Sequence, residues 1–525
     1  MENYGILSLV PPFLAIILAF WARQVLPALF ISIWVGAAIL SNGNIITGFG
    51  ETVQKYVVGS IADRWHASIL TVCVTLGGLI GVMTKSGGIK AVADNLARKA
   101  KTPRGSQLST AVLGVVVFFD DYASCLIVGN TMRPITDRLK VSREKLSYLV
   151  DSTAAPVASM GIVSTWAVYE MSVIKGVFES IGIETNIYGA FLKSIPFQFY
   201  SLITLVFVFS LVLMKRDYGS MYKAEIRARK TGKVIDDNAQ PLFSGGVTEM
   251  KVKENIPLRW YNAVLPLFIL IGTVIAGLYI TGYKKISAAG TDFTISVSFL
   301  RDVFGNSDGA SAMLWGVSAA TVSAIAMVIL RKTLTLQEAM DSWTEGAKSV
   351  ITAAMILILA WGIGSVCKDL GTASFLVEIL KGRFPVELVP LLTFCVGCAI
   401  AFATGTSYGT IAILLPVSVP LVYTLSGGDT GTILYATIGA VITGAVFGDH
   451  CSPISDTTIM SSMASASDHI DHVKTQIPYA ATTAVIAGVA GFIPAGFGVH
   501  PLVSFFLGAL CAVLSVRVLG KKIDE

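Results

Sequence analysis

Apolar stretches of bilayer-spanning length recur from one end of this 525-residue chain to the other, among them residues 260–282, 309–330 and 477–498. A helix needs about 17 to 25 predominantly apolar residues to cross a hydrocarbon core of roughly 30 Å. Inside that core every backbone polar group must be satisfied by the helix itself, so repeated spans commit the chain to helices packed against helices. The expected fold is an all-α polytopic membrane protein with about 11 transmembrane helices. A hydrophobic fraction of 54% against 14% charged residues excludes a set of soluble domains.

The first apolar stretch, residues 5–21, follows Glu2 rather than a basic segment and lacks a small-x-small cleavage pattern, so it is read as a retained helix. Seven cysteines scattered through apolar segments form no disulfide framework. Cys395-Val-Gly-Cys398 has no second pair to complete a zinc or redox centre, and no cofactor is expected. The net charge of +5 sits in a few loops between apolar segments, without a basic domain, so nucleic acid is not a partner and the bilayer is.

Those loops orient the chain. Residues 215–259 carry ten Lys or Arg against six Asp or Glu, and residues 85–104 carry six against Asp94 alone. The positive-inside rule makes both cytoplasmic. Helices at 5–22, 25–40 and 66–84 then cross in turn. Residues 107–133 cannot cross, because the loop after them holds Arg133, Arg138, Lys140, Arg143 and Lys145. They are read as a hairpin that enters and returns, turning at Phe119-Asp120-Asp121, since adjacent carboxylates must face protein or water rather than lipid. Residues 146–168 and 189–214 follow as crossings.

The pattern repeats. Gly81, Lys85 and Gly88 find counterparts in Gly364, Lys368 and Gly371; Pro103 and Pro134 in Pro385 and Pro416; Ala155-Pro156-Val157-Ala158-Ser159 in Ser452-Pro453-Ile454-Ser455-Asp456. The copy of the basic loop, residues 368–383, is nearly charge-balanced and so is read as extracellular. Two inverted-topology repeats, each with a re-entrant hairpin and a broken transmembrane helix, are the sequence signature of a secondary transporter with its site near the bilayer midplane. The expected division is a first transmembrane repeat at 1–214, a cytoplasmic loop at 215–259, the inverted repeat at 260–498, and a final helix with a cytoplasmic tail at 499–525.

Polarity concentrates at the breaks. The first half breaks at Asp120-Asp121 and at Asp151-Ser152-Thr153; the second at Thr404-Gly405-Thr406-Ser407 and across Asp449, His450, Ser452, Asp456 and Thr457. Na⁺ is a small hard cation that wants several oxygens, and a helix interrupted by Pro or Gly frees carbonyls to join carboxylates and hydroxyls. All fourteen residues are candidates for ion or substrate binding. Na⁺ would sit on a subset of Asp120, Asp121, Asp151, Asp449 and Asp456. His450 is read as an anion ligand, a proton acceptor or a support for Asp449. Glu170 is expected at the outer rim, and Asp468-His469-Ile470-Asp471-His472 as a solvated cytoplasmic loop in preference to a pH sensor.

The segments Phe118 to Ala123, Asn130 to Pro134, Asp151 to Pro156, Phe402 to Ser407 and Gly448 to Thr458 resemble the signatures of the NhaC family of bacterial Na⁺/H⁺ antiporters over roughly residues 5 to 500. The resemblance implies the ion-transporter superfamily fold, a bacterial plasma-membrane location, and exchange of Na⁺ for H⁺. In some members it implies exchange of small organic acids with coupled ions. The expected function is therefore Na⁺/H⁺ antiport by alternating access, with exchange of a small organic acid or other organic solute as the alternative. Ser, His and Asp near residue 450 lack a nucleophile-elbow frame, so no enzyme is expected, and nothing resembles a channel filter. A homodimer is left open.

Overall fold

The computed structural model describes residues 4–22, 25–97, 100–241, 252–253, 256–288, 299, 302–304, 306–372, 375 and 385–523. Among them nine helices are long and apolar enough to cross a membrane, or 11 if two sharply bent helix pairs each count as one span. The only sheet among the described residues is a two-stranded ribbon, so their regular structure is otherwise helical. Parts of the 215–259 loop, at 242–251 and 254–255, and residues 376–384 of the charge-balanced copy lie outside the described residues.

The breaks fall where sequence chemistry places them. Helix α1 (Pro103–Val116) opens with Pro103 at its first turn and the Thr102 hydroxyl accepting from Gly105 N at 3.0 Å. The chain then turns, and α2 (Asp121–Arg138) starts with the Asp120 carboxylate accepting from Ala123 N at 2.8 Å. Helix α3 (Arg143–Asp151) stops short of Pro156, a single turn follows at Ala155–Ala158, and α4 (Thr165–Ser180) begins at the Ser164 cap. Helix α5 (Phe199–Met214) is bent 49° from the segment before it.

In the second half α6 (Val389–Thr404) ends because Gly405 takes φ +68°, where a side chain would be strained and its Cβ would lie 2.6 Å from the Ile454 carbonyl. Helix α7 (Ser407–Leu425) starts at the Thr406 cap, and α8 (Thr432–Cys451) runs to Ser452-Pro453, where Pro453 has no N–H to continue it. Helix α9 (Asp456–Ser465) resumes, and α10 (His469–Ile486) begins at Asp468. Each half thus contains a hairpin followed by a broken helix.

These elements interlock across the halves. Helix α2 packs on α9, where a Cβ on Gly129 would meet Ala464 Cβ at 2.6 Å. Helix α4 packs on α7, with Tyr169 stacked on Tyr408 at 4.1 Å between ring centroids.

The structure adds to and corrects the expected elements. Between two of the expected crossings, residues 45–62 are helical and fold back at 118° to 26–40, with Trp34 Nε1 donating to the Ile45 carbonyl at 2.9 Å. The crossing expected at 146–168 carries the break expected at Asp151 to Pro156, but it runs on to Ser180, because Ser164 starts a new helix beyond that break. Glu170 is not at a rim; it lies within α4 and is fully buried. The Asp468–His472 stretch is no solvated loop: Asp468 caps α10 through Ile470 N and Asp471 N, and His472 is fully buried. Nor is 215–259 a free loop, since β1 (Arg216–Asp217) pairs antiparallel with β2 (Lys521–Lys522) and an amphipathic helix spans Gly219–Thr231.

Candidate functional site

Three of the broken elements open on one cavity of about 380 Å³. Asp120, Asp121 and Tyr122 reach it from the first hairpin, Gly405 to Tyr408 from the second, and Asp449 and Asp456 from the two sides of the broken helix α8–α9. Thr165 and Tyr169 of α4 close one wall, and Ile356, Met460 and Met463 supply apolar surface. Among the described lining residues there is no Lys, Arg or His.

Neutral donors hold the carboxylates. Asp120 uses one oxygen for its cap and accepts from Thr165 Oγ1 at 3.2 Å with the other. Asp121 accepts from Trp166 Nε1 at 3.0 Å. Asp449 accepts from Ser455 Oγ at 2.5 Å, and that hydroxyl lies 3.1 Å from Thr457 Oγ1. Asp456 accepts from Tyr122 Oη at 3.4 Å. Asp120, Asp121 and Asp449 are buried while Asp456 is exposed. Arg133 does not pair with the hairpin aspartates; it reaches the Ala464 carbonyl at 3.4 Å.

Other candidates stand outside the cavity. Thr404 Oγ1 donates back to Ile400 O at 2.8 Å, Thr153 Oγ1 to Leu149 O at 2.7 Å, and Ser452 Oγ to Phe402 O at 2.7 Å, tying the second break to the second hairpin. His450 is buried between two hydroxyls, with Tyr200 Oη 2.7 Å from Nδ1 and Ser152 Oγ 2.8 Å from Nε2. Asp151 is fully buried and accepts from Gln476 Nε2 at 2.7 Å; the same amide donates to the His450 carbonyl. The fourteen candidates therefore form two layers, one facing the cavity and one behind it. Sequence reading missed Thr165, Trp166, Tyr169, Ser455 and Gln476. Ser455 lay within a quoted motif, but nothing in the sequence marked Gln476.

The model of the Na⁺/H⁺ antiporter family matches residues 4–160 and 157–493. The chain belongs to that family. The resemblance read from the motifs is thereby borne out, and this family member is a multi-pass secondary transporter. An uncharacterized protein of Haemophilus influenzae is 34% identical over 521 residues, covering 98% of this chain and 95% of that one. The malate-2H(+)/Na(+)-lactate antiporter of Bacillus subtilis is 35% identical over 111 residues, 20% of this chain and 23% of that protein. The crystal structure of the YdaH transporter of Alcanivorax borkumensis shares the fold, with a TM-score of 0.59, 12% identity, and coverage of 93% of this chain and 99% of that one.

Proposed function

We propose that this protein exchanges Na⁺ for H⁺ by alternating access, the two ions competing for the cavity carboxylates. The observation that carries this reading is four aspartates on one cavity without a described basic side chain. Carboxylates so placed need a counter-charge, and a bound cation or protons can each supply it. Occupancy by one displaces the other, and a bundle that moves against its neighbour while holding either turns that competition into exchange. Asp449 and Asp456 flank the break in α8–α9, and Asp121 faces them from the first hairpin; these three are the proposed Na⁺ and proton carriers. Asp120 is a helix cap that also lines the cavity. Residues 1–214 and 260–498 act as the inverted repeats, with 215–259 and the C-terminus cytoplasmic.

The cavity volume favours one alternative cargo. At roughly 30 Å³ per water, about 380 Å³ holds on the order of a dozen waters, far more than a bare Na⁺ fills. A small organic solute fits such a space, and the lining suits a cationic one better than a carboxylate.

The test is transport in proteoliposomes with an imposed Na⁺ gradient and lumenal pH as the readout. Proton movement driven by Na⁺ alone, lost in Asp449→Asn and Asp121→Asn, is the expected result. Flux that appears only when an amine or a carboxylate is added would overturn Na⁺/H⁺ antiport in favour of an organic exchanger.

A further inference from the structure

We propose that Trp361, stacked on His66, is the outer gate of this transporter, and that the central cavity is open to the cytoplasmic face while this stack seals the opposite one. The inference rests on the reading of the protein as an alternating-access exchanger, and it uses residues that do not line the cavity.

Two sets of contacts mark the two faces. On one, β1 pairs with β2, Lys253 N donates to the Lys85 carbonyl at 3.1 Å and Lys253 Nζ meets Glu338 at 2.8 Å. On the other, Lys55 meets Asp369 at 2.8 Å and Asn186 Nδ2 donates to the Ser307 carbonyl at 2.9 Å. The first face carries the basic segments and is the cytoplasmic one. From the carboxylates the cavity extends toward that face. Along α9 its wall is Ile459, Met460 and Met463, and α9 ends beside Asp468, which accepts from Gln240 N at 2.8 Å. Facing it are Ser349, Val350, Thr352 and Ile356, at the cytoplasmic start of the helix Ile351–Asp369. Helix α4, which runs outward to Ser180, contributes only Thr165 and Tyr169 from its first two turns.

Beyond Tyr169 the walls close. Trp361 lies flat on His66 of the helix Arg64–Lys85, with 3.8 Å between ring centroids and 10° between planes. The Ser60 carbonyl, 2.9 Å from His66 Nδ1, accepts from that ring and fixes it. Both rings are buried and belong to one wall; α4 and α7 form the other. Trp361 Nε1 donates to the Ser172 carbonyl at 3.3 Å. One turn further out Gly176 presents no side chain, and a Cβ there would lie 3.4 Å from Trp361 Cδ1. At the rim Lys368 Nζ donates to the Glu179 carbonyl at 3.3 Å, and Lys175 approaches Asp63 at 3.8 Å. Against α7, a Cβ on Gly364 would lie 3.9 Å from Pro416 Cβ.

The seam can part at low cost. Its polar contacts are few and long, and a cavity of about 120 Å³ lined by His66, Gly176, Trp361, Gly364 and Pro416 already lies within it. A close-packed interface loses neighbours at every atom when it separates, whereas a seam that holds a void has fewer contacts to lose. Outward opening then requires Trp361 to release Ser172, and α4 with α7 to draw away from the ring pair.

The experiment applies a membrane-impermeant thiol reagent to either face of membranes carrying full-length Ser349→Cys, an exposed cavity position, and reads labelling residue by residue by mass spectrometry. Labelling is expected to be about tenfold faster from the cytoplasmic face than from the outer one. Trp361→Ala should raise outer-face labelling about tenfold, and Trp361→Phe, which keeps a stacked ring but loses the indole N–H, should raise it about threefold. Melting temperatures identify which variants are folded. In Gly176→Cys with Ser365→Cys, both positions lining the void, a reducible bifunctional thiol reagent should stop Na⁺-driven flux and reduction should restore it. Equal labelling from both faces with Trp361 in place, or no gain of outer-face labelling in a folded Trp361 variant, overturns the gate, as does full flux through the bridged protein. The expected labelling without any Na⁺-driven flux would leave the gate standing and remove the cargo assignment instead.

Discussion

Two regions gather several buried carboxylates each, and they are handled in opposite ways. At the base of α3, Lys145 Nζ meets Asp217 Oδ1 at 2.5 Å with both side chains buried, and Tyr479 Oη donates to the same oxygen at 2.6 Å. Beside it Glu225 accepts from Ser142 N at 2.7 Å and pairs with Arg229, and Arg227 grips Glu144 at 2.8 Å. Every carboxylate in this knot has a resident cation within reach. In the cavity Asp120, Asp121 and Asp449 are as well buried but have only hydroxyl, amide and indole donors. The knot joins the amphipathic helix and the C-terminal strand to the bundle. The cavity leaves its counter-charge to be supplied from outside, which is what a transported cation does.

The largest effect should come from the knot. Lys145→Met leaves Asp217 buried without its cation and is expected to destabilise the fold by about 3 to 5 kcal/mol. Thermal unfolding in detergent measures it, and flux per folded molecule should be unchanged. A native melting temperature for that variant would show that the ion pair contributes nothing the tyrosine does not. Next comes Asp449→Asn, which keeps the shape and removes an uncompensated charge. Na⁺-driven flux should fall about a hundredfold, equivalent to about 2.7 kcal/mol, while the melting temperature holds or rises. A drop in both would make Asp449 a structural group and erase the contrast between the two regions.

How much of this could be read from sequence follows the same line. Asp120-Asp121 announced a hairpin because carboxylates cannot meet lipid, and Gly405 and Pro453 announced breaks because of what their backbones allow. Which break faces the cavity was not legible. Asp151-Ser152-Thr153 has the same chemistry as the others, yet its helix phase turns it to α10, where Gln476 and His472 meet it. Similarly, the charges of residues 219–231 read as loop, because Glu225 and Arg229 find partners only in the folded bundle.

A smaller effect tests the geometry that holds the second hairpin tip at the cavity. Gly405→Ala places a Cβ at φ +68° and against the Ile454 carbonyl, and should cost about 1 to 2 kcal/mol of stability. Because Thr406 and Ser407 line the cavity directly after it, flux should fall several-fold as well. Stability lost with native flux would mean that the tip shapes the fold without shaping the site, and the cavity would then rest on its carboxylates alone.

Glu170 gives the smallest expected effect and the sharpest probe of where the cavity ends. It is fully buried in α4, where Gln198 Nε2 donates to Oε2 at 3.5 Å and Oε1 has no partner among the described residues. It resembles the cavity aspartates in lacking a cation, but it does not line the cavity. A carboxyl in that setting that never changes its charge during transport behaves as a packed polar group, for which glutamine is nearly isosteric. Glu170→Gln is therefore expected to change stability by less than about 1 kcal/mol, in the stabilising direction, and to leave Na⁺-driven flux intact. Calorimetry and the proteoliposome assay read the two quantities separately. Should flux collapse with the fold intact, a carboxylate beyond the cavity also carries a proton. The division between compensated and uncompensated charge would then mark the transport machinery better than the cavity wall does.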